Sequence, residues 1–158
     1  MDRRLVLEQY LDSHAVLTLA TSGPAGAAAA AVFYARDGAD FYFLSAPSTL
    51  HARNIASTAA VAATVQDDVE DWAHIRGVQL RGWALQLAGV EARQAQAHYA
   101  RRFPAIFDPQ RRPAAIAAAL ERIHWYRLAA EHVRLIDNAR GFGRPEEWTR
   151  EQWLARAP

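Results

Sequence analysis

Residues 41–66 read FYFLSAPSTLHARNIASTAAVAATVQ, and this stretch indicates the fold more strongly than any other part of the chain. Its pattern predicts a strand over 41–45, a short polar helix over 47–57 and a second strand over 60–66. Polar side chains gather where the first strand gives way to the helix: Ser45, Ser48, Thr49, His51, Arg53 and Asn54. Helix N-termini offer free N–H groups and a partial positive charge. The segment therefore predicts an anion cradle, with a phosphate as its expected occupant.

Length and composition predict one domain over residues 1–158, without a strong electrostatic preference for a partner. The chain has no cysteine, which excludes disulfides and thiolate metal ligands, and its formal net charge is +1. All 18 basic residues are Arg, so a lysine nucleophile or Schiff base is excluded. The charge does not predict nucleic-acid binding, and no His spacing predicts a metal site. No apolar run approaches the roughly 20 residues that span a membrane, and no signal peptide is recognisable, so the expected location is the cytoplasm.

The remaining elements surround the 41–66 segment with further strands and helices. The sequence predicts a hairpin over 15–21 and 27–35, long strands over 77–88 and 124–137, and helices over 3–13, 90–103, 113–123 and 146–155. Six strands joined mostly by hairpins or short helices are typical of an antiparallel barrel. We therefore expect a mainly β protein of the α+β class with peripheral helices.

The order of these motifs resembles the FMN-binding split-barrel family related to pyridoxamine 5'-phosphate oxidase, in a small bacterial branch. The matching motifs are AVLTLATSGPAGAAAAAVFYAR, FYFLS-x-x-S-T-x-H-x-x-N-I, VAATV and W-x-x-I-R-G-V-Q-L-R-G-W-A. The resemblance implies a six-stranded antiparallel split β-barrel and a homodimer that holds FMN at its interface.

The resemblance also assigns site residues. His51 falls where relatives often place a phosphate-contacting Lys, and Arg53 follows two residues later. The flavin ring is expected along the second strand, at Ala31, Val32, Phe33 and Tyr34. Arg76 and Gln79 lie in the strand that reaches the flavin in relatives, often across the dimer. Structural roles stay open for these residues. Ser48 or Thr49 could cap the helix, and Phe33 and Tyr34 could belong to the barrel core or to a dimer contact. Arg53, Arg76 and Gln79 could be exposed surface residues.

Two departures from the family pattern argue against pyridoxamine phosphate oxidase activity. The second strand is rich in Ala, with only Arg36 at its end, where pyridoxamine phosphate oxidases carry basic residues. The tail GFGRPEEWTREQWLARAP replaces their Arg-rich last strand. Vitamin B6 oxidation is therefore not expected. Arg140 and Arg144 either belong to the surface or face an anionic substrate.

We expect an FMN-dependent oxidoreductase acting on a small molecule, with catalytic residues that the sequence does not identify. Flavin adenine dinucleotide, a deazaflavin or haem could take the place of FMN. The alternatives are a non-enzymatic flavin or haem binding or storage protein, and a dimeric interaction module without a cofactor. None of these functions requires a nucleic acid or a membrane.

Overall fold

The computed structural model describes residues 2–155. A 3₁₀ turn spans Trp72–His74. The strands are β1 Val16–Thr21, β2 Ala28–Phe33, β3 Ala35–Asp37, β4 Asp40–Ser45, β5 Ala60–Gln66, β6 Arg76–Leu87, β7 His124–Asp137 and β8 Glu146–Thr149. The helices are α1 Arg3–Ser13, α2 Leu50–Ser57, α3 Gly89–Arg102, α4 Pro104–Phe107, α5 Ala114–Leu120 and α6 Arg150–Leu154.

The sheet closes into a barrel because both of its edges belong to one bent stretch of chain. The strand order is β2-β1-β5-β6-β7-β4-β3, every pairing is antiparallel, and β8 adds to β7. Only Tyr34 separates β2 from β3, so the first half of this stretch pairs with β1 and the second half with β4. Burial raises the pKa of Tyr34 to about 12, and its protonated hydroxyl donates to the Leu11 carbonyl. The bend is thereby fixed against α1.

The barrel interior is filled by the inward-facing residues of alternating strands. β1 and β5 alternate strictly, with Leu17, Leu19, Ala63 and Val65 buried. Each such Leu or Val stabilises the folded state by about 1.5–3 kcal/mol through its burial. α1 covers one end of the barrel, and α2 packs against β1, β2 and β6 at the other.

The predicted antiparallel barrel with peripheral helices is confirmed, although the sheet has eight strands and not six. One extra strand arises because the bend at Tyr34 divides the second predicted strand. The other is β8, in a region where the sequence predicts a helix over 146–155. Residues 146–149 pair with β7 instead, and the helix begins only after Thr149, whose side chain and Gln152 form a capping box.

A bulge between β6 and β7 depends on Gly82. The pairing register shifts between Arg81 and Gly82, so that β7 remains one strand through Ala129 and Ala130. A Cβ atom at Gly82 would lie 2.0 Å from the Ala129 carbonyl oxygen. Only glycine permits this close approach.

Among residues 2–155, no helix has the length and apolar character needed to cross a membrane.

Candidate functional site

The structure distributes the predicted site residues over three places. The first is the α2 segment, which we define as residues 45–54 at the end of β4 and the start of α2. The second is the outer face of the sheet formed by β2, β1, β5, β6, β7 and β8. The third is the α1 end of β6, where Arg76 lies.

Three side chains of the α2 segment, those of Ser45, Thr49 and His51, contact one another through hydrogen bonds. Thr49 donates its hydroxyl to the Ala46 carbonyl at 2.9 Å. Ser45 Oγ lies 3.2 Å from Thr49 Oγ1 and 2.6 Å from His51 Nε2. The single hydroxyl proton of Ser45 can serve one of these two contacts. Two of the three hydroxyls predicted to hold a phosphate, those of Ser45 and Thr49, are therefore already engaged within the segment.

His51 is a hydrogen-bonding group in this chain more than a cation. Burial lowers the pKa of its imidazole from the ordinary value of 6.5. The neutral form therefore predominates near pH 7. Protonation of His51 would strengthen anion binding only at pH values below its ordinary range.

Thr49 and Asn54 also stabilise the local fold. Thr49 is the N-cap of α2 and accepts a hydrogen bond from the Ala52 amide. Asn54 is 1% exposed and donates to Thr21 Oγ1 and to the Gly26 carbonyl, both at 3.1 Å. These bonds tie the β1–β2 turn to α2. Both amide hydrogens of Asn54 are thereby used, and its role as a phosphate donor stays a prediction.

Arg53 and Ser48 are the open polar groups of the α2 segment. Both side chains are exposed, and Arg53 makes no ion pair or side-chain hydrogen bond within the described part of the chain. A free guanidinium beside a helix start can bind an oxyanion through two parallel hydrogen bonds. Arg53 is thus the cation that the α2 segment presents to solvent.

The outer face carries two rows of aligned side chains. Paired register positions place one row across all six strands, with small residues at one side and polar ones at the other: Ala31, Thr18, Thr64, Gln79, Arg134 and Glu147. The neighbouring row is Ala29, Ala20, Ala62, Arg81, His132 and Thr149. A groove of about 540 Å³ runs over the polar part of both rows, against Trp148. Gln79 is the predicted site residue that lies in this groove.

Arg81, His132 and Arg134 were missed by sequence reasoning. Strand alternation does predict that Arg81 shares a face with Gln79, and that His132 shares one with Arg134. Their meeting across β6 and β7 depends on the register of a pair of strands that are far apart in sequence. The sequence does not supply that register.

The β2 residues divide between the two faces of the sheet. Ala31 and Phe33 point outward and are exposed, Phe33 at 55%. Val32 faces inward and packs against the core, and Tyr34 is buried. Only Ala31 and Phe33 can therefore present side chains to a ligand on the outer face.

Arg76 lies at the opposite end of the barrel from α2. It pairs in register with Asp137, whereas Ala60, which follows α2, pairs with Trp83. The seven residue steps from Arg76 to Trp83 extend over roughly 20 Å. Within one subunit, Arg76 and Arg53 cannot hold the same phosphate.

Fold and site together define an antiparallel split barrel with an open outer face and a polar helix start. The family described as pyridoxamine 5'-phosphate oxidase matches residues 4–136 of the sequence, and the chain belongs to this family. A UPF0306 protein of Enterobacter sp. (strain 638) is 30% identical over 154 residues, which cover 96% of this chain and 100% of the relative. The UPF0306 protein YhbP of Escherichia coli O9:H4 (strain HS) is 30% identical over 159 residues, covering 99% and 100%.

Solved structures share the fold at lower identity. A haem binding protein from Mycobacterium smegmatis has a TM-score of 0.71 and 23% identity, over 91% of this chain and 56% of that chain. HutZ, described as a haem storage protein of Vibrio cholerae, has a TM-score of 0.68 and 18% identity, over 83% and 92%. At these identities the likeness establishes the fold alone.

Proposed function

We propose that the chain is a single-domain, homodimeric flavin-binding protein that uses FMN to oxidise or reduce a small molecule. The observation that carries this proposal is the row of small side chains on the outer face, ending at the Gln79 amide. Ala31, Thr18 and Thr64 leave a flat surface against which a planar ring can lie. An amide at its edge can exchange hydrogen bonds with ring carbonyl and nitrogen atoms.

The apolar rim of the same face supports the homodimer. Phe33 is 55% exposed and Val16 is 39% exposed, and the two are register partners. A second copy seated on this face would cover both side chains and exclude water from a bound ring. Contact of Arg76 with FMN across the dimer stays a prediction, and displacement of other anions from Arg76 by FMN would support it.

Each residue has a defined task in this proposal. Arg53 and Ser48 hold the phosphate, and Gln79 orients the ring. Bound FMN supplies the electron and hydride transfer. No proton-transfer residue is assigned, and a cytoplasmic location stays a prediction.

Haem binding or storage is the second candidate, and His132 favours it. This imidazole is exposed in the groove between the register neighbours Arg81 and Thr149. A neutral imidazole can ligate haem iron. Arg81 and Arg134 could pair with carboxylates of the same ligand.

FMN and riboflavin titrations of matched arginine variants test the flavin proposal. We expect Arg53→Ala to weaken FMN binding by about 10- to 100-fold, since a charged hydrogen bond contributes roughly 1.5–3 kcal/mol. Riboflavin, which has no phosphate, should bind both proteins equally. Arg93→Ala, at an exposed position on α3, is the control. Equal FMN affinities for the two variants, or no FMN binding by the wild type, would refute the assignment.

Two further measurements separate the alternatives. Anaerobic mixing of the FMN-loaded protein with NADH and NADPH should reduce the flavin if the protein is an oxidoreductase. A stable oxidised flavin would indicate storage instead. Haem binding that is lost in His132→Ala, together with absent FMN binding, would favour the haem candidate.

A further inference from the structure

A cluster of guanidinium groups surrounds one carboxylate at the α1 end of the barrel. We define the arginine cluster as Arg3, Arg76, Arg140 and Arg144. The first three approach the same oxygen, Asp137 Oδ2, at 3.7, 3.9 and 3.6 Å. All three distances are longer than a hydrogen bond. One carboxylate therefore attracts three cations without bonding closely to any of them.

The cluster has more donors than the surrounding residues can use. Arg3 Nη1 and Arg76 Nε are buried and have no acceptor among residues 2–155. Arg3 makes its one close ion pair through Nε, with Glu146 at 2.5 Å. Counting the three carboxylates that line the two cavities, Asp137, Glu146 and Asp67, against the four guanidiniums leaves an excess of one positive charge. Unpaired buried donors of this kind are costly, and an added oxyanion relieves them.

The space for such a ligand is present. A cavity of about 340 Å³ is lined by Arg3, Arg140 and Arg144, and a neighbouring one of about 390 Å³ by Arg76. Both cavities share Asp137 and Arg140 as a common wall.

Fixed partners hold the Arg76 side of the cluster. The Arg76 guanidinium lies over the Tyr10 ring, 4.7 Å from its centroid. Asp67 and His74 also line this side, but they pair with His14 and Asp71, at 2.8 and 3.2 Å. The Asp67 carboxylate therefore counts among the acidic groups that face the Arg76 side of the cluster.

We propose that the arginine cluster binds a small oxyanion, either a phosphate monoester or a dicarboxylate. The cluster keeps excess positive charge and two buried donors without acceptors among residues 2–155. Guanidinium groups bind planar or tetrahedral oxyanions through paired hydrogen bonds. The site is separate from the α2 segment of the same subunit, from which Arg76 is roughly 20 Å away along β6. Its ligand is a substrate or effector distinct from the FMN phosphate.

Arginine Nε–H resonances in ¹H–¹⁵N spectra report directly on this site. Inorganic phosphate is titrated at constant ionic strength, with chloride as the replaced anion and succinate in a parallel arm. We expect saturable shifts with one common Kd at Arg3, Arg76 and Arg140. Arg140→Gln should weaken this binding at least tenfold, whereas Arg122→Gln, at an exposed position after α5, should not change it. The stronger of the two anions identifies the ligand class.

Two results would overturn the proposal. One is a response that rises linearly with both anions, or that chloride reproduces. The other is displacement of phosphate from these three arginines by stoichiometric FMN, which would assign the cluster to the flavin site. The same titration in Arg53→Ala keeps the proposals apart: loss of FMN binding at the α2 segment leaves the response of the arginine cluster intact.

Discussion

The α2 segment and the arginine cluster are both rich in hydrogen-bond donors but differ in how many of those donors are already used. In the α2 segment, Ser45, Thr49 and His51 bond to one another, and Asn54 bonds to the β1–β2 turn. In the arginine cluster, two buried N–H groups have no acceptor within the described residues. Polar groups that are satisfied internally stabilise the fold, whereas unsatisfied ones are available to a ligand. Residue type alone does not distinguish these roles.

The largest effect should come from removing a satisfied group. We expect Asn54→Ala to lower the free energy of unfolding by about 2–3 kcal/mol, because the buried Thr21 hydroxyl loses its partner. Urea denaturation measures the change. Arg53→Ala, one position away and exposed, should stay within about 0.5 kcal/mol of the wild type. Equal stabilities for the two variants would contradict the structural role of Asn54.

Thr49→Ala should have the next largest effect. The variant loses the N-cap bond to the Ala52 amide, and we expect a decrease in unfolding free energy of about 1 kcal/mol. Thr49→Ser keeps the hydroxyl and should recover most of this loss. If both variants are equally destabilised, the methyl group and not the cap is responsible.

Asp137→Asn tests the arginine cluster, where buried donors have no acceptor within the described residues, and should change the free energy of unfolding less. Its three ion pairs are long, so we expect a loss of at most about 1 kcal/mol. Phosphate affinity at the arginine cluster should rise about fivefold, because a competing negative charge is removed. Glu147→Gln, which loses an exposed pair with Arg134, is the control for both measurements. Weaker phosphate binding in Asp137→Asn would show that the carboxylate orients the arginines.

The smallest effect concerns the pH dependence of stability. Because burial lowers the pKa of folded His51 below 6.5, the unfolded chain binds the proton more readily. The contribution of His51 to stability is therefore complete above pH 6.5 and is lost as the pH falls through the folded pKa. Subtracting the unfolding free energy of His51→Gln from that of the wild type should give a difference that is constant above pH 7 and declines on acidification. A difference that stays constant down to pH 5 would show that folding does not lower the pKa of His51.

Much of the fold could be predicted because its signals are local. The bounds of α1, β5 and β7 follow directly from hydrophobic periodicity and β-forming residues. The strand β8 could not be predicted, because four residues become a strand only beside the free edge of β7. The break at Tyr34 likewise arises from closure of the barrel and not from its own sequence.

The residues of the candidate site likewise differ in how far they could be predicted from the sequence. The α2 segment is continuous in sequence, so its polar residues could be recognised together. The partner of Asn54, Thr21, lies 33 positions away, and the groove residues Arg81 and His132 meet only through the register of two strands. Sequence thus located one group of candidate residues but did not show which of their donors are free.

The bent stretch formed by β2 and β3 also has a consequence for the order of folding. Its pairings with β1 and β4 join near neighbours in sequence, whereas Phe41 of β4 meets Leu128 of β7 across 87 positions. Short loops close at a lower entropic cost, so we expect residues 16–45 to assemble early and β7 to join last. Until β7 arrives, β4 and β6 each keep one unpaired edge. A nascent chain that stalls before residue 124 would therefore expose two edges prone to intermolecular pairing.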